Sequence, residues 1–391
     1  MLAFTFPGQG SQRPGMGRPW VEHESWELVD EASEISGRDV GRLLLHADAE
    51  ELKDTRNAQL MTFVSSLMVL DAVERVGIEP SFCAGHSLGE YTALTASGAL
   101  SFDDGVRLVC ERAEAMHDAG IENPGTMAAV LGLDDDQVEI ACHRADHQVW
   151  VANFNAPGQV VIAGAAEGVG AAAAVAKELG AKKVMPLQVS GAFHTPFMTP
   201  ARERLRKAIA EASPRDTEVP VISNVDALPH ATGSDWSSLL SAQLSSPVRW
   251  KHCLLALEDL GVTDYVELGP GGVLTGMAKR TVDAARTLSV ATPEELNKLL
   301  DWLAPGASRV PTAVEGEHLF AVERIVVSPG AGLFTAIDGI SGGSMIDVGT
   351  VIGMVGDMEV RSPFAGVIQA YTAVEGERIA NRQPIAWLRT A

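Results

Sequence analysis

A serine with a glycine two residues to either side, Gly85-His86-Ser87-Leu88-Gly89, lies between an apolar run, Ser81 to Ala84, and an apolar helical stretch, Leu88 to Ser97. Strand, tight corner and helix in that order form the context of a nucleophile elbow. A serine at such a corner exposes its Oγ, and the glycines leave room for the close backbone approach that the corner forces. The helix N-terminus beneath it brings N–H groups and the positive dipole end to the place where an oxyanion would form. The alternative, a surface serine in an ordinary turn, does not explain both glycines.

The elbow sits in a longer alternation. Short apolar runs alternate with amphipathic or alanine-rich stretches through about Thr292, the pattern of an α/β domain with a largely parallel sheet. Strands are expected at Leu2–Phe6, Ser81–Ala84, Thr126–Leu131, Val149–Asn153, Val160–Ala163, Lys183–Gln188, Pro220–Ser223 and Tyr265–Leu268. From Glu122 to Gln188 the order is strand, helix, strand, strand, helix, strand, the split βαβ arrangement of a ferredoxin-like unit. The expected division is one domain over 1–292, with an α/β-hydrolase-like large subdomain (1–121 and 189–292) and a ferredoxin-like insertion (122–188). A chain of 391 residues exceeds one core, which agrees with further division.

Near Pro293 the character changes. A short helix and a linker with Pro305, Gly306 and Pro311 fill 293–317, and residues 318–391 are rich in Val, Ile, Gly and Pro, as in a small all-β domain. This part repeats itself: Val326-Val327-Ser328-Pro329-Gly330-Ala331-Gly332 returns 34 residues later as Val360-Arg361-Ser362-Pro363-Phe364-Ala365-Gly366. Two copies are too few for a solenoid, so a closed sandwich with internal two-fold symmetry is expected.

A net charge of -21 argues against nucleic acid and anionic membranes as partners. Small basic clusters, Arg202-Arg204-Arg206-Lys207 and Arg249-Lys251, read as solvated helix faces or a local patch. The four cysteines, Cys83, Cys110, Cys142 and Cys253, have no paired short spacing and fit a reducing compartment. Met1 to Pro7 has no basic leader region, and no apolar run reaches membrane-spanning length, so a cytoplasmic location is expected.

A nucleophilic serine needs a base. His194, in the loop Ser190-Gly191-Ala192-Phe193-His194-Thr195-Pro196 after a strand, is the best candidate among ten histidines. His86 should point away from Ser87, because neighbours along a strand alternate. In the helix expected from Phe102 to Ala119, Val109, Arg112 and Met116 share one face. A guanidinium on an apolar face needs an anion, either a substrate or a structural Asp or Glu. Pro7-Gly8-Gln9-Gly10-Ser11-Gln12 is not a dinucleotide or phosphate loop, and Gly269-Pro270-Gly271-Gly272 reads as a plain turn. His143 and His147 have the spacing of a metal pair but lack a third ligand.

Taken together these segments resemble the bacterial malonyl-CoA:acyl carrier protein transacylases and the acyltransferase domains of fatty acid and polyketide synthases. The likeness covers residues 1 to about 290. It rests on Phe6-Pro7-Gly8-Gln9-Gly10-Ser11-Gln12, Gly85 to Tyr91, Arg112, Asn153-Phe154-Asn155-Ala156-Pro157-Gly158-Gln159, Gly191 to Thr195, Gln243-Leu244-Ser245-Ser246-Pro247-Val248 and Glu267 to Gly271. The resemblance implies that Ser87 attacks malonyl-CoA while His194 takes its proton. Gln243 would help hold the histidine, and the N–H groups of Gln9 and Leu88 would form the oxyanion hole. It also implies that Arg112 binds the free malonyl carboxylate, that Phe193 favours malonyl over methylmalonyl, and that the phosphopantetheine thiol of an acyl carrier protein receives the group. No metal or bound cofactor is implied.

The C-terminal domain resembles biotinyl and lipoyl carrier domains, so a flattened barrel is expected. It departs from them at the hairpin, Ile352-Gly353-Met354-Val355-Gly356-Asp357-Met358-Glu359, and no lysine follows Lys298. Neither biotin nor lipoate can be attached there, and a docking, assembly or self-association module, or an appended domain without function, remains. For the first domain the rivals are a serine thioesterase or other hydrolase, and the transacylase subunit of a malonate decarboxylase.

Overall fold

The computed structural model describes residues 1–189, 191–303, 323–337, 339–380 and 383–389. They fall into two compact units, Met1–Glu74 with residues 78–303 in one, and Arg75–Gly77 with the described residues from 323 onward in the other. Pro293–Leu303 is a helix; residues 304–322, the rest of the anticipated linker and the first residues of the anticipated C-terminal domain, lie outside the described residues.

The strands of the first unit are β1 (Leu2–Phe6), β2 (Phe82–Gly85), β3 (Thr126–Leu131), β4 (Val149–Ala156), β5 (Gln159–Gly164), β6 (Lys183–Pro186), β7 (Val221–Ile222), β8 (Pro229–His230), β9 (Asp264–Leu268) and β10 (Arg286–Val290). Six form one sheet in the order β10-β9-β1-β2-β7-β8. All its pairings are parallel except β7 with β8. The chain moves outward from β1 in both directions, so the carboxyl ends of β1 and β2 border the crevice where open α/β sheets hold their sites. Phe4, Phe6, Cys83, Val266 and Leu268 are buried, as strands covered on both faces require.

Between β2 and β7 the chain builds a second, antiparallel sheet in the order β4-β5-β3-β6. The helices Asp135–Arg144 and Ala166–Glu178 bury Val138, Ala141, Val169 and Ala172 in a separate core with Val130, Val160 and Ile162.

Two strand expectations need correction, and two short strands were not foreseen. β4 runs on to Ala156, because Asn153 and Asn155 are buried rather than ending the strand. Lys183–Gln188 pairs only to Pro186. β10 and the two-residue β8 were not anticipated; β10 lies at the sheet edge, where its polar and apolar residues alternate instead of forming an apolar run. Among the described residues no helix is long and apolar enough to cross a membrane.

The second unit holds β11 (Glu323–Val327), β12 (Gly332–Ala336), β13 (Met345–Ile346), β14 (Val351–Val355), β15 (Met358–Arg361), β16 (Gly366–Tyr371), β17 (Arg378–Ile379) and β18 (Pro384–Arg389). They form two antiparallel sheets, β11-β18-β16-β13 and β15-β14-β12-β17, around one core. The repeat seen in the sequence has a structural counterpart: Val326 and Val360, Phe334 and Ile368, and Ile352 and Ala386 are each buried in it. The hydroxyl of Ser362 donates to the carbonyl of Phe364 at 2.7 Å, and that of Ser328 donates to the carbonyl of Gly330. β14 and β15 meet in a two-residue turn, Gly356-Asp357.

Candidate active site

Ser87 follows β2 with φ at +54°, a left-handed conformation that non-glycine residues adopt rarely and mainly where the surroundings enforce it. The surroundings here are backbone. A Cβ on Gly85 would lie 1.8 Å from the carbonyl oxygen of Gly89, and one on Gly89 would lie 2.0 Å from that of Phe6. Only glycine fits at either position. The helix Gly89–Ala96 then starts directly under the serine.

The Ser87 hydroxyl donates to His194 Nε2 at 2.7 Å. His194 Nδ1 donates to the main-chain carbonyl of Gln243 at 2.9 Å, which sets the tautomer, since a carbonyl can only accept. His194 itself has φ at +62° and is 4% exposed. Burial, with the nearby charge of Arg112 second, pushes its imidazole down to about 3. The ring is therefore neutral over ordinary pH and its Nε2 is free to accept the serine proton.

His86 points the other way. Its Nε2 lies 2.8 Å from Asn155 Oδ1 and its ring meets Trp250 edge-on, so it is not a base for Ser87.

Arg112 projects from the helix Phe102–Glu122, whose first turn is capped by Ser101 accepting from the Asp104 N–H. It is 1% exposed. Its Nη1 donates to Gln59 Oε1 at 2.6 Å, and its Nη2 donates to Gln243 Oε1 at 3.0 Å and to Ser87 Oγ at 3.1 Å. Tyr91 lies beneath it, 5.0 Å from ring centroid to guanidinium carbon. All three acceptors are neutral; among the described residues no carboxylate comes within ion-pairing distance, and Nε has no partner. Burial lowers the arginine pKa, against the pull of Tyr91 and Glu90. Several kcal/mol typically attach to leaving a buried charge unpaired, so this cation is poised for an anion from outside.

Gln243 has a double role that its position alone did not foretell. Its main chain holds His194, while its side chain serves Arg112 and also donates from Nε2 to the Ser87 carbonyl at 2.9 Å and to the Glu90 carboxylate. Gln9 follows the turn after β1, where Gly8 packs against the carbonyl of His86. Neither the Gln9 nor the Leu88 main-chain N–H has a protein acceptor among the described residues. Phe193 is 6% exposed in the main core, beside Gly191.

Gln59, Glu90, Asn155 and Asn224 complete the buried polar shell, and sequence reasoning assigned none of them a role. The available signal was a polar residue on an otherwise apolar element, as with Gln59 among Leu60, Met61, Phe63 and Val64 in the helix Thr55–Glu74. Glu267 of Glu267-Leu268-Gly269-Pro270-Gly271 is also buried and accepts from the Thr275 N–H at 2.7 Å. It caps the helix Val273–Thr281, and the turn before it is structural.

A cleft of about 960 Å³ opens beside His194. Pro196, Ser245 and Pro247 line one side, and His143, His147 and Trp150 of the antiparallel part line the other. The helix Asp135–Arg144 ends before His147, so the two histidines do not share a helical face; among the described residues there is no metal-holding group of three.

The description "acyl transferase domain" fits residues 3–296 as a family match. Over 307 residues the chain is 43% identical to the malonyl CoA-acyl carrier protein transacylase of Bacillus subtilis strain 168, covering 77% of this chain and 97% of that protein. The crystal structure of the acyl-carrier-protein S-malonyltransferase from Burkholderia pseudomallei 1710b superposes with a TM-score of 0.74 at 41% identity, over 77% of this chain and 99% of the other. A malonyl-transacylase in complex with its type II PKS acyl-carrier protein superposes with a TM-score of 0.74 at 35% identity, over 77% of this chain and 99% of that one.

Proposed function

Since the chain belongs to the acyl transferase domain family, we propose that it moves a malonyl group from malonyl-CoA to the phosphopantetheine thiol of an acyl carrier protein through an ester on Ser87. The observation that carries this reading is the buried guanidinium of Arg112, without a carboxylate of its own and 3.1 Å from the nucleophilic oxygen. A monocarboxylic acyl group would leave that cation unpaired, whereas the free carboxylate of a malonyl group pairs with it.

The reaction follows from the distances. His194 Nε2 takes the proton of Ser87 Oγ as the oxygen attacks the thioester carbonyl. The N–H groups of Gln9 and Leu88 receive the developing oxyanion; losing one such donor typically slows a reaction about 10²- to 10³-fold. The imidazolium, steadied by the Gln243 carbonyl, returns its proton to the leaving CoA thiolate. The carrier thiol then repeats the sequence in reverse, giving ping-pong kinetics. Phe193, next to the base, limits the room beside the α-carbon and disfavours methylmalonyl.

The fold reading is an α/β-hydrolase-like part with a ferredoxin-like insertion, supported by the two sheet orders. The second unit is a biotinyl/lipoyl-like barrel without its arm, supported by the repeated buried serines and by Gly356-Asp357 at the hairpin tip. It serves docking or assembly. A cytoplasmic location fits four free cysteines.

The test is release of the acyl group. Enzyme loaded with malonyl-CoA should be discharged by acyl carrier protein far faster than by water; discharge by water alone at the same rate would make it a thioesterase.

A further inference from the structure

We propose that Glu90 is a positioning residue for this reaction, its carboxylate fixing the Gln243 side-chain amide and, through it, the guanidinium of Arg112. The inference rests on the malonyl-transfer reading and deepens it.

Glu90 is the second residue of the helix after the elbow and is fully buried. One carboxylate oxygen accepts the Asn224 main-chain N–H at 2.6 Å, and the other accepts from Gln243 Nε2. A glutamine amide can point either way unless its partners choose for it. An ionised carboxylate only accepts, so the nitrogen end of Gln243 must face Glu90. The oxygen end is then turned to Arg112 Nη2 at 3.0 Å. A reversed amide would set oxygen against oxygen at Glu90 and N–H against N–H at Arg112.

The same carboxylate anchors the elbow. Asn224, held by its N–H, accepts from the Ser87 N–H through Oδ1 at 2.7 Å and donates from Nδ2 to the Gly85 carbonyl at 2.7 Å. Two partners therefore carry the influence of the Glu90 carboxylate to Ser87 and Arg112, neither of which that carboxylate touches.

Arg112, Tyr91, Asp226 and Cys253 are the titratable groups whose fields couple to Glu90. Burial raises its carboxyl to about 7, against Arg112 and the two hydrogen bonds, with Asp226 adding to the rise. Protonation replaces an acceptor with an O–H facing the Gln243 nitrogen and breaks that hydrogen bond, leaving the amide with the Ser87 carbonyl and Arg112 alone. Activity that needs the ionised form is lost as pH falls through that value. His194, held down at about 3, does not titrate there.

The experiment measures kcat/KM for acylation by malonyl-CoA and by acetyl-CoA across pH, in the full chain and in Glu90→Gln. The variant is expected to lose about 10- to 100-fold with malonyl-CoA, the scale of one charge-assisted hydrogen bond. Its malonyl-over-acetyl preference should shrink, and the acid limb of the profile should vanish. An unchanged preference with the acid limb still in place would overturn the proposal. Should Glu90→Gln not fold, the unsubstituted protein decides: a flat malonyl profile between about pH 5.5 and 8 overturns it, and an acid limb near 7 upholds it. Unsubstituted protein that never acquires malonyl would instead defeat the function reading.

Discussion

The first unit keeps Gln59, Glu90, Arg112, His194, Asn224 and Gln243 away from solvent, bonded to one another or to the elbow. The second unit is built differently: among its described residues the buried polar side chains are Ser328 and Ser362, and each donates within its own turn. Burying polar groups opposes folding unless each is paired, and an apolar core avoids the problem. An interior that retains a charged arginine, a carboxyl and a strained serine is explained by chemistry, while the apolar interior is explained by folding alone. The same contrast separates a catalytic reading of one unit from an assembly reading of the other.

The contrast can be broken most forcefully at the base. His194→Ala should lower malonyl transfer by about 10⁴-fold while leaving the fold intact, measured as acylation rate beside the circular dichroism spectrum. A loss below tenfold would remove His194 from the mechanism.

Arg112→Ala should be smaller and selective. Malonyl-CoA turnover is expected to fall about 10²- to 10³-fold, and acetyl-CoA turnover by much less, because only malonyl carries a free carboxylate. Equal losses for both would mean that the guanidinium serves the serine alone. Smallest of all, ending the chain after Leu303 should leave the malonyl transfer rate within about twofold, since every residue of the candidate site precedes it. A large loss of kcat with carrier protein, but not of acylation, would give the second unit a part in docking.

How much of this could be read from the residues depends on whether a group declares itself locally. Ser87 does in part, because the clash that Gly85 avoids is built from Gly89 and Glu90 close by in the chain, while Gly89 makes room for Phe6 of β1. Arg112 does in part: helical spacing set it on an apolar face, while whether its anion came from the protein stayed open until Gln59, Gln243 and Ser87 were seen around it. His194 was the best candidate among ten histidines by its place in a loop after a strand, but its bond to Ser87 joins residues 107 positions apart. Glu90 and Asn224 were silent, since their bond joins residues 134 positions apart and nothing in either neighbourhood predicts it. The Gln243 contact with His194 passes through a carbonyl that every residue carries. β10 escaped notice because an edge strand needs apolar residues on only one face, and Asn153 and Asn155 hid the end of β4 by being polar and buried at once.

The claim beneath these comparisons is that an oxygen on residue 87 accepts a dicarboxylic acyl group because an unpaired cation stands beside it. Intact-mass spectrometry after brief exposure to malonyl-CoA, methylmalonyl-CoA and acetyl-CoA tests it most directly. The account expects one malonyl adduct, mapped to Ser87, with little methylmalonyl and still less acetyl. Equal adducts from malonyl-CoA and acetyl-CoA, or an adduct on any other residue, would contradict it.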